Sequence, residues 1–261
     1  MHLPTPDHPL DTPAQRAADR RQLLRALNAS LAFVLLLVAV FAVQGQFDVS
    51  RWSVTPGSLA GLVGLATAPV LHGSLEHLAA NAISLLLLGT LAGAVYPQAT
   101  LRALPVLWLG SGLGAWLLGS AGTHHLGASG LTHGLMFLVF VLGVLRRDRP
   151  SIAAAMIAFL LYGGMLLTVL PREAGVSWQS HLGGAVAGVI AALLLRHRDP
   201  LAPRKRYSWE DEEDAMAAAE AAARDALEPP SPSEVPVIWQ RSPARRESGV
   251  VLEFPPRDRA R

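Results

Sequence analysis

The chain contains no cysteine. Disulfide scaffolds, thiol nucleophiles and cysteine-based metal sites are thereby excluded. It is also short of charge, which makes up 16% of its 261 residues, against about 25% in an average soluble domain. The shortage is local. Of the 22 basic and 20 acidic side chains, only ten lie between positions 28 and 195: Asp48, Arg51, Glu76, Arg102, Arg146, Arg147, Asp148, Arg149, Arg172 and Glu173. So few charges cannot clothe a water-facing surface, so the middle of the chain reads as a membrane domain. No internal repeat is visible and no acidic residue lies deep in an apolar run, which argues against inverted-repeat and cation-coupled transporters.

What is present is apolar sequence, 51% of the chain, gathered into runs. Five stand out, at 27–43, 75–95, 127–145, 152–170 and 176–195; a sixth, 101–118, is interrupted by Arg102 and Pro105. At about 1.5 Å per residue, a 19-residue run covers about 28 Å, close to the hydrocarbon thickness of a bilayer. A seventh stretch, 57–71, is shorter and carries Pro56, Gly57, Gly61, Gly64 and Pro69; it reads as re-entrant or interfacial. With six spans and the N-terminus inside, the inner segments hold Arg16, Arg20, Arg21, Arg25, Arg102, Arg146, Arg147, Arg149, Arg196, Arg198, Arg204, Lys205 and Arg206, and the outer loops only Arg51 and Arg172. That bias fixes six spans with both termini cytoplasmic. A span at 57–71 would put Arg146, Arg147 and Arg149 outside. The polar leader before the first run is long for a signal peptide, so this run is expected to be an uncleaved anchor. The expected organisation is a cytoplasmic segment over 1–26, a six-helix membrane domain over 27–196, and a charged, Pro-rich cytoplasmic tail over 197–261. The tail holds an acidic run and an Ala-rich stretch at 215–227 that can form a short helix, but otherwise is expected to be mostly disordered.

Polar residues inside spans are costly and are functional candidates by default. Three clusters qualify. The first opens the second span: His72, Glu76, His77 and Asn81. His77 and Asn81 are four apart and share one helix face. Glu76 in the first turn suits the helix dipole without any further role. The second opens the fourth span: Gly127-Ala128-Ser129-Gly130. A serine between glycines at a helix start is approachable, and the unpaired N–H groups there can hold an anion, as a nucleophile with an oxyanion site requires. A serine in a small-residue packing interface would read the same. The third opens the sixth span: His181 with Gly184 and Gly188 on its face, matched by Gly130 and Gly134 on the fourth. Two such stripes let helices approach closely enough for Ser129 and His181 to meet, although a histidine at a helix end can also be a plain interface residue. All three spans enter from the outside under the arginine count, so the clusters share one layer. That convergence favours nucleophilic catalysis.

On these residues the sequence resembles the rhomboid family of intramembrane serine proteases. The resemblance runs from Gly61 to about Leu195 and rests on His72-x4-His77-x3-Asn81, Gly127-Ala128-Ser129-Gly130 and His181-x2-Gly184-x3-Gly188. It implies an all-α, six-transmembrane-helix bundle and a Ser129–His181 dyad with no acidic third member. His77, Asn81 and the Ser129 N–H would support the oxyanion, and His72 would be structural and water-organising. Transmembrane proteins would be cut near the outer end of their helices. Membrane lipids and these substrates are the expected partners; nucleic acid, a metal and other cofactors are not. The location implied is a bacterial inner membrane. Two positions depart from the family pattern. Four residues after the serine, where the family often has Tyr, stands His133, which can stack on His181 but also titrate. The common Trp-Arg pair of the first outer loop is missing; Arg51-Trp52 stands in reversed order. Two other readings of these residues are open. A zinc protease fits poorly, because His72 and His77 are five apart and Glu76 is not adjacent to the first His; His124 and His125 are its only further ligand candidates. A non-catalytic rhomboid-like protein that binds membrane clients is the remaining alternative.

Overall fold

The computed structural model describes residues 13–172, 175–200 and 208–227. Nine α-helical elements occur among them: α1 Pro13–Val43, α2 Gly64–Thr67, α3 Leu75–Val95, α4 Pro97–Leu118, α5 Ser129–Arg146, α6 Arg149–Tyr162, α7 Met165–Thr168, α8 Trp178–Leu195 and α9 Ser208–Leu227. No strand forms among the described residues; a single antiparallel bridge joins Val54 to His125. The described residues up to 200 form one compact unit and α9 belongs to a second.

Five helices (α1, α3, α4, α5 and α8) are long and apolar enough to cross a membrane. Leu78, Leu85, Leu88, Leu107, Leu135, Leu138, Val139 and Leu142 are buried between them, while Leu75, Ile83, Leu101, Leu117 and Leu194 face outward. An apolar exterior over an apolar core is the pattern of a bundle in lipid. α5 is the central helix, with eleven of its residues buried.

The expected run at 152–170 is not one helix. α6 ends at Tyr162 after 14 residues, about 21 Å. Gly163 and Gly164 interrupt it, and α7 adds a single turn. Hydropathy hides this break, because glycine is apolar yet ends a helix cheaply. α1 and α4 are longer than their apolar runs. α1 begins at Pro13 and carries four arginines in its first turns. α4 begins at Pro97 and continues through Pro105, which sits just over two turns in and leaves the Leu101 carbonyl without an intrahelical donor. The Asp199 carboxylate supplies the start of α4 with an external cap, accepting from the N–H groups of Gln98 (2.8 Å) and Ala99 (3.0 Å).

The interfacial stretch is built from 3₁₀ turns around α2, and its helical part, Ala60–Val70, is too short to cross. Two tryptophans of α4 strap it to the bundle. Trp108 Nε1 donates to the Ala66 carbonyl (3.2 Å) and Trp116 Nε1 to that of Ser58 (3.0 Å). The disorder expected over 197–261 falls largely on residues outside those described. Within that range α9 is helical, and it starts at Ser208, ahead of the acidic run, rather than at the alanines.

Candidate active site

Three helix starts converge at one end of the bundle. Ser74 caps α3, accepting from the His77 N–H. Ser177 caps α8, accepting from that of Ser180. α5 begins directly at Ser129, after Gly127. Gly127 holds φ at +110°, and a Cβ there would lie 2.5 Å from His77 Cε1, so both the turn and the neighbouring ring require glycine. The chain thus delivers Ser129 at the first position of a helix, where the N–H groups of the first turn have no intrahelical acceptor.

α5 and α8 touch through backbone. A Cβ on Gly184 would fall on the Gly130 carbonyl, one on Gly188 on the Gly134 carbonyl, and one on Gly134 would lie 3.1 Å from the Gly184 carbonyl. This approach sets the central contact. His181 Nε2 lies 2.9 Å from Ser129 Oγ. His181 Nδ1 lies 3.0 Å from the Thr168 carbonyl. A carbonyl only accepts, so Nδ1 carries the proton and Nε2 is left to accept from the serine hydroxyl.

His133 lies one turn into α5, buried, with its ring stacked on His181. Its Nδ1 donates to the Ser129 carbonyl (2.7 Å), and its Nε2 lies 2.8 Å from Thr168 Oγ1. Asn81 is buried on α3 and donates one amide proton to the His77 carbonyl (2.8 Å). His77, Asn81, Ser129, His133 and His181 all line one cavity of about 1100 Å³, with Met165, Arg172 and Gln179 among its other walls.

His72 is placed apart from this cavity. It is fully buried and meets His77 edge-on, ring centroids 5.1 Å apart. Its ring nitrogens have no hydrogen-bond partner within the protein. Burial lowers its pKa to about 4; the His77 ring adds to the shift, and the Val70 carbonyl, nearby but outside hydrogen-bond geometry, opposes it. Its backbone is gripped at two points by the Gln44 side chain at the end of α1, which accepts from the His72 N–H (3.2 Å) and donates to the His72 carbonyl.

The rim of the cavity is tied by two histidines. His124 Nδ1 lies 3.1 Å from both Ser53 Oγ and Thr55 Oγ1. His125 Nδ1 lies 2.7 Å from Ser177 Oγ, and its Nε2 2.9 Å from Thr123 Oγ1. Burial, with a smaller like-charge effect from His124, holds His125 below its ordinary pKa. Among the described residues no three His, Asp or Glu side chains converge as metal ligands. Arg51 pairs with Asp48 (3.3 Å) on the exposed loop that follows α1. Sequence reasoning missed Thr168 and Gln44. Thr168 enters through a backbone carbonyl, which leaves no trace in side-chain patterns, and Gln44 lies beyond the end of an apolar run with no periodic signal.

The rhomboid domain model matches residues 59–198, which covers α2 through α8 and every residue of this cluster. The chain belongs to the rhomboid family, multi-pass membrane proteins that are usually intramembrane serine proteases. It is similar to an uncharacterized protein of Mycobacterium tuberculosis, 38% identical over 195 residues, covering 70% of this chain and 81% of that one. An uncharacterized protein of Mycobacterium leprae is 42% identical over 142 residues, 51% of this chain and 56% of its own length.

Proposed function

We propose that this protein is an intramembrane serine endopeptidase of a bacterial inner membrane, acting on transmembrane proteins near the outer end of their helices. The observation that carries the reading is the 2.9 Å contact between Ser129 Oγ and His181 Nε2, inside a cavity that also holds His77 and Asn81. Ser129 attacks the scissile carbonyl while His181 Nε2 takes its proton and later returns it to the leaving amine. The Thr168 carbonyl accepts from Nδ1 and holds the imidazolium that forms. The tetrahedral oxyanion lies between the N–H groups at the start of α5 and the His77 and Asn81 side chains, donors fixed before the substrate arrives. The polar lining keeps water at the reacting bond, which hydrocarbon cannot do. A substrate helix shields its own carbonyls, so its cut segment must unwind, which favours Gly, Pro or small residues there.

Six crossings account for this chemistry best: α6, the glycine break and α7 together make the fifth, and both termini then lie in the cytoplasm. No metal or cofactor takes part in any step.

The test is cleavage of a model transmembrane protein with a Gly/Ala-rich outer end, in liposomes, with and without chelator. Cleavage and fluorophosphonate labelling at Ser129 that disappear in Ser129→Ala and His181→Ala but persist with chelator are expected. A wild type that neither cuts nor labels moves the reading to a client-binding, non-catalytic member. The absence of cysteine makes topology direct to check: an impermeant maleimide added outside should label Ala121→Cys and spare Arg149→Cys.

A further inference from the structure

Thr168 touches both stacked imidazoles, as Ser129 does at their other edges. Its carbonyl accepts from His181 Nδ1 (3.0 Å), and its hydroxyl lies 2.8 Å from His133 Nε2. The His133 ring is in turn fixed at its other edge, where Nδ1 donates to the Ser129 carbonyl (2.7 Å). In neutral His133 the Nδ1 proton is committed to that carbonyl, so Nε2 must accept, and the Thr168 hydroxyl is its donor. The same hydroxyl lies 3.1 Å from the Met165 carbonyl, but one proton serves one acceptor at a time. Thr168 therefore holds the His133 ring by its side chain and the His181 ring by its main chain, and the two rings lie 3.9 Å apart, nearly parallel. The residue ends α7, one turn beyond the Gly163–Gly164 break, where the backbone has no long helix to fix it. Its hydroxyl bond to His133 ties the residue to α5, beside the bond that its carbonyl makes to His181 on α8.

We propose that Thr168 is a positioning residue for His181: its carbonyl sets the proton on Nδ1, and its hydroxyl, acting through His133, fixes the plane and depth of the ring that faces Ser129. The role rests on the Ser129–His181 dyad proposed above. It takes the place that a carboxylate fills in serine hydrolases with three members, but with neutral groups, which suits a site enclosed by apolar helices.

The full chain in detergent micelles would be measured as wild type, Thr168→Val, Thr168→Ser, His133→Phe and the Thr168→Val/His133→Phe double variant. The readouts are the fluorophosphonate labelling rate at Ser129, and kcat and KM on the model substrate. Thr168→Val should lower kcat and labelling about tenfold with KM within about twofold, the signature of a lost alignment rather than lost binding. Thr168→Ser should recover most of the rate. In the His133→Phe background Thr168→Val should add no further loss, because the hydroxyl acts through His133. If Thr168→Val does not melt cooperatively, Thr168→Ala against Thr168→Ser carries the same comparison. Rates equal to wild type, a change in KM alone, a serine variant no better than valine, or full additivity in the double variant would each overturn the role while leaving the dyad. A wild type that does not label at Ser129 overturns the dyad and this role with it.

Discussion

His133 lies flat against His181, ring centroids 3.9 Å apart and planes 13° from parallel. The His133 ring is a shelf that limits where the neighbouring imidazole can turn. Its removal in His133→Ala should leave the protein folded and reduce kcat about a hundredfold, the scale of a general base held in the wrong place and more than the loss from Thr168→Val. His133→Phe keeps the ring face and loses both edge bonds, so its loss should be smaller than that of the alanine variant. Parallel kinetics on the two variants check the order.

The approach of α5 and α8 leaves no room for a methyl group at Gly184, whose Cβ would fall on the Gly130 carbonyl. Backbone cannot step aside as a flexible side chain can. Gly184→Ala should cost about 1–3 kcal/mol by overpacking and lengthen the Ser129–His181 contact, so the melting temperature and the labelling rate fall together. Gly45→Ala, with nothing within 4 Å of the added carbon, should change neither.

The buried His72 gives the fold an acid limit. Its pKa is lowered by burial to about 4 in the folded protein, against about 6.5 in an unfolded chain. The neutral ring is the one the fold accepts, so its stabilising share is complete above about 6.5 and drains as pH falls toward 4. His125, also held low by burial, adds in the same direction. Melting temperature in detergent should therefore drop between pH 6.5 and 4, and His72→Leu should flatten part of that slope. An unchanged slope in the leucine variant would assign the acid sensitivity elsewhere.

At the opposite end of the bundle Arg146 donates to the carbonyls of Arg196 (3.2 Å), Asp199 (2.9 Å) and Pro200 (2.9 Å), pairs with Asp148 (3.4 Å), and lies over the Tyr96 ring at 5.6 Å. Arg146→Ala should cost about 2–3 kcal/mol through the carbonyls it abandons. Arg146→Lys should recover little, since one nitrogen on a shorter stem cannot reach acceptors that are served from three separate guanidinium nitrogens. The labelling rate per folded molecule should stay at the wild-type value in both, which separates this end from the chemistry; denaturation in mixed micelles gives the stability term.

Much of the architecture is legible in the sequence because lipid imposes strict grammar. All five long helices end within a residue of the end of an apolar run, and Ser129, His181, His77, His72 and Asn81 stand out because polar side chains at such places are costly. The stripes Gly130/Gly134 and Gly184/Gly188 are visible for the same reason, as unusual spacing in an otherwise uniform run. The division of 152–170 is harder to see. Gly163-Gly164 is present in the text, but average hydropathy runs straight across it. The contacts of Thr168 are invisible, being made partly by main chain and with a partner 13 residues away in a different helix. Asp199 reads as one more charge in a polar tail, although its carboxylate is spent on amides 100 and 101 residues earlier; only the folded chain brings them together. Arg146 counts in the sequence as a topological marker, and its hub of carbonyls has no local signature at all.

The Asp199 and Arg146 contacts have a mechanical consequence. They join the start of α4, the end of α5, the start of α6 and the segment after α8 into one knot. Helices about 27 Å long that share a fulcrum behave as levers: a small tilt leaves the knotted ends in place and is amplified at the far tips. Those tips carry Ser129 and His181. Bilayer thickness or lateral pressure, which act along the whole length of a span, would thus be felt most at these tips, where the backbone contact of Gly130 with Gly184 keeps Ser129 and His181 moving together.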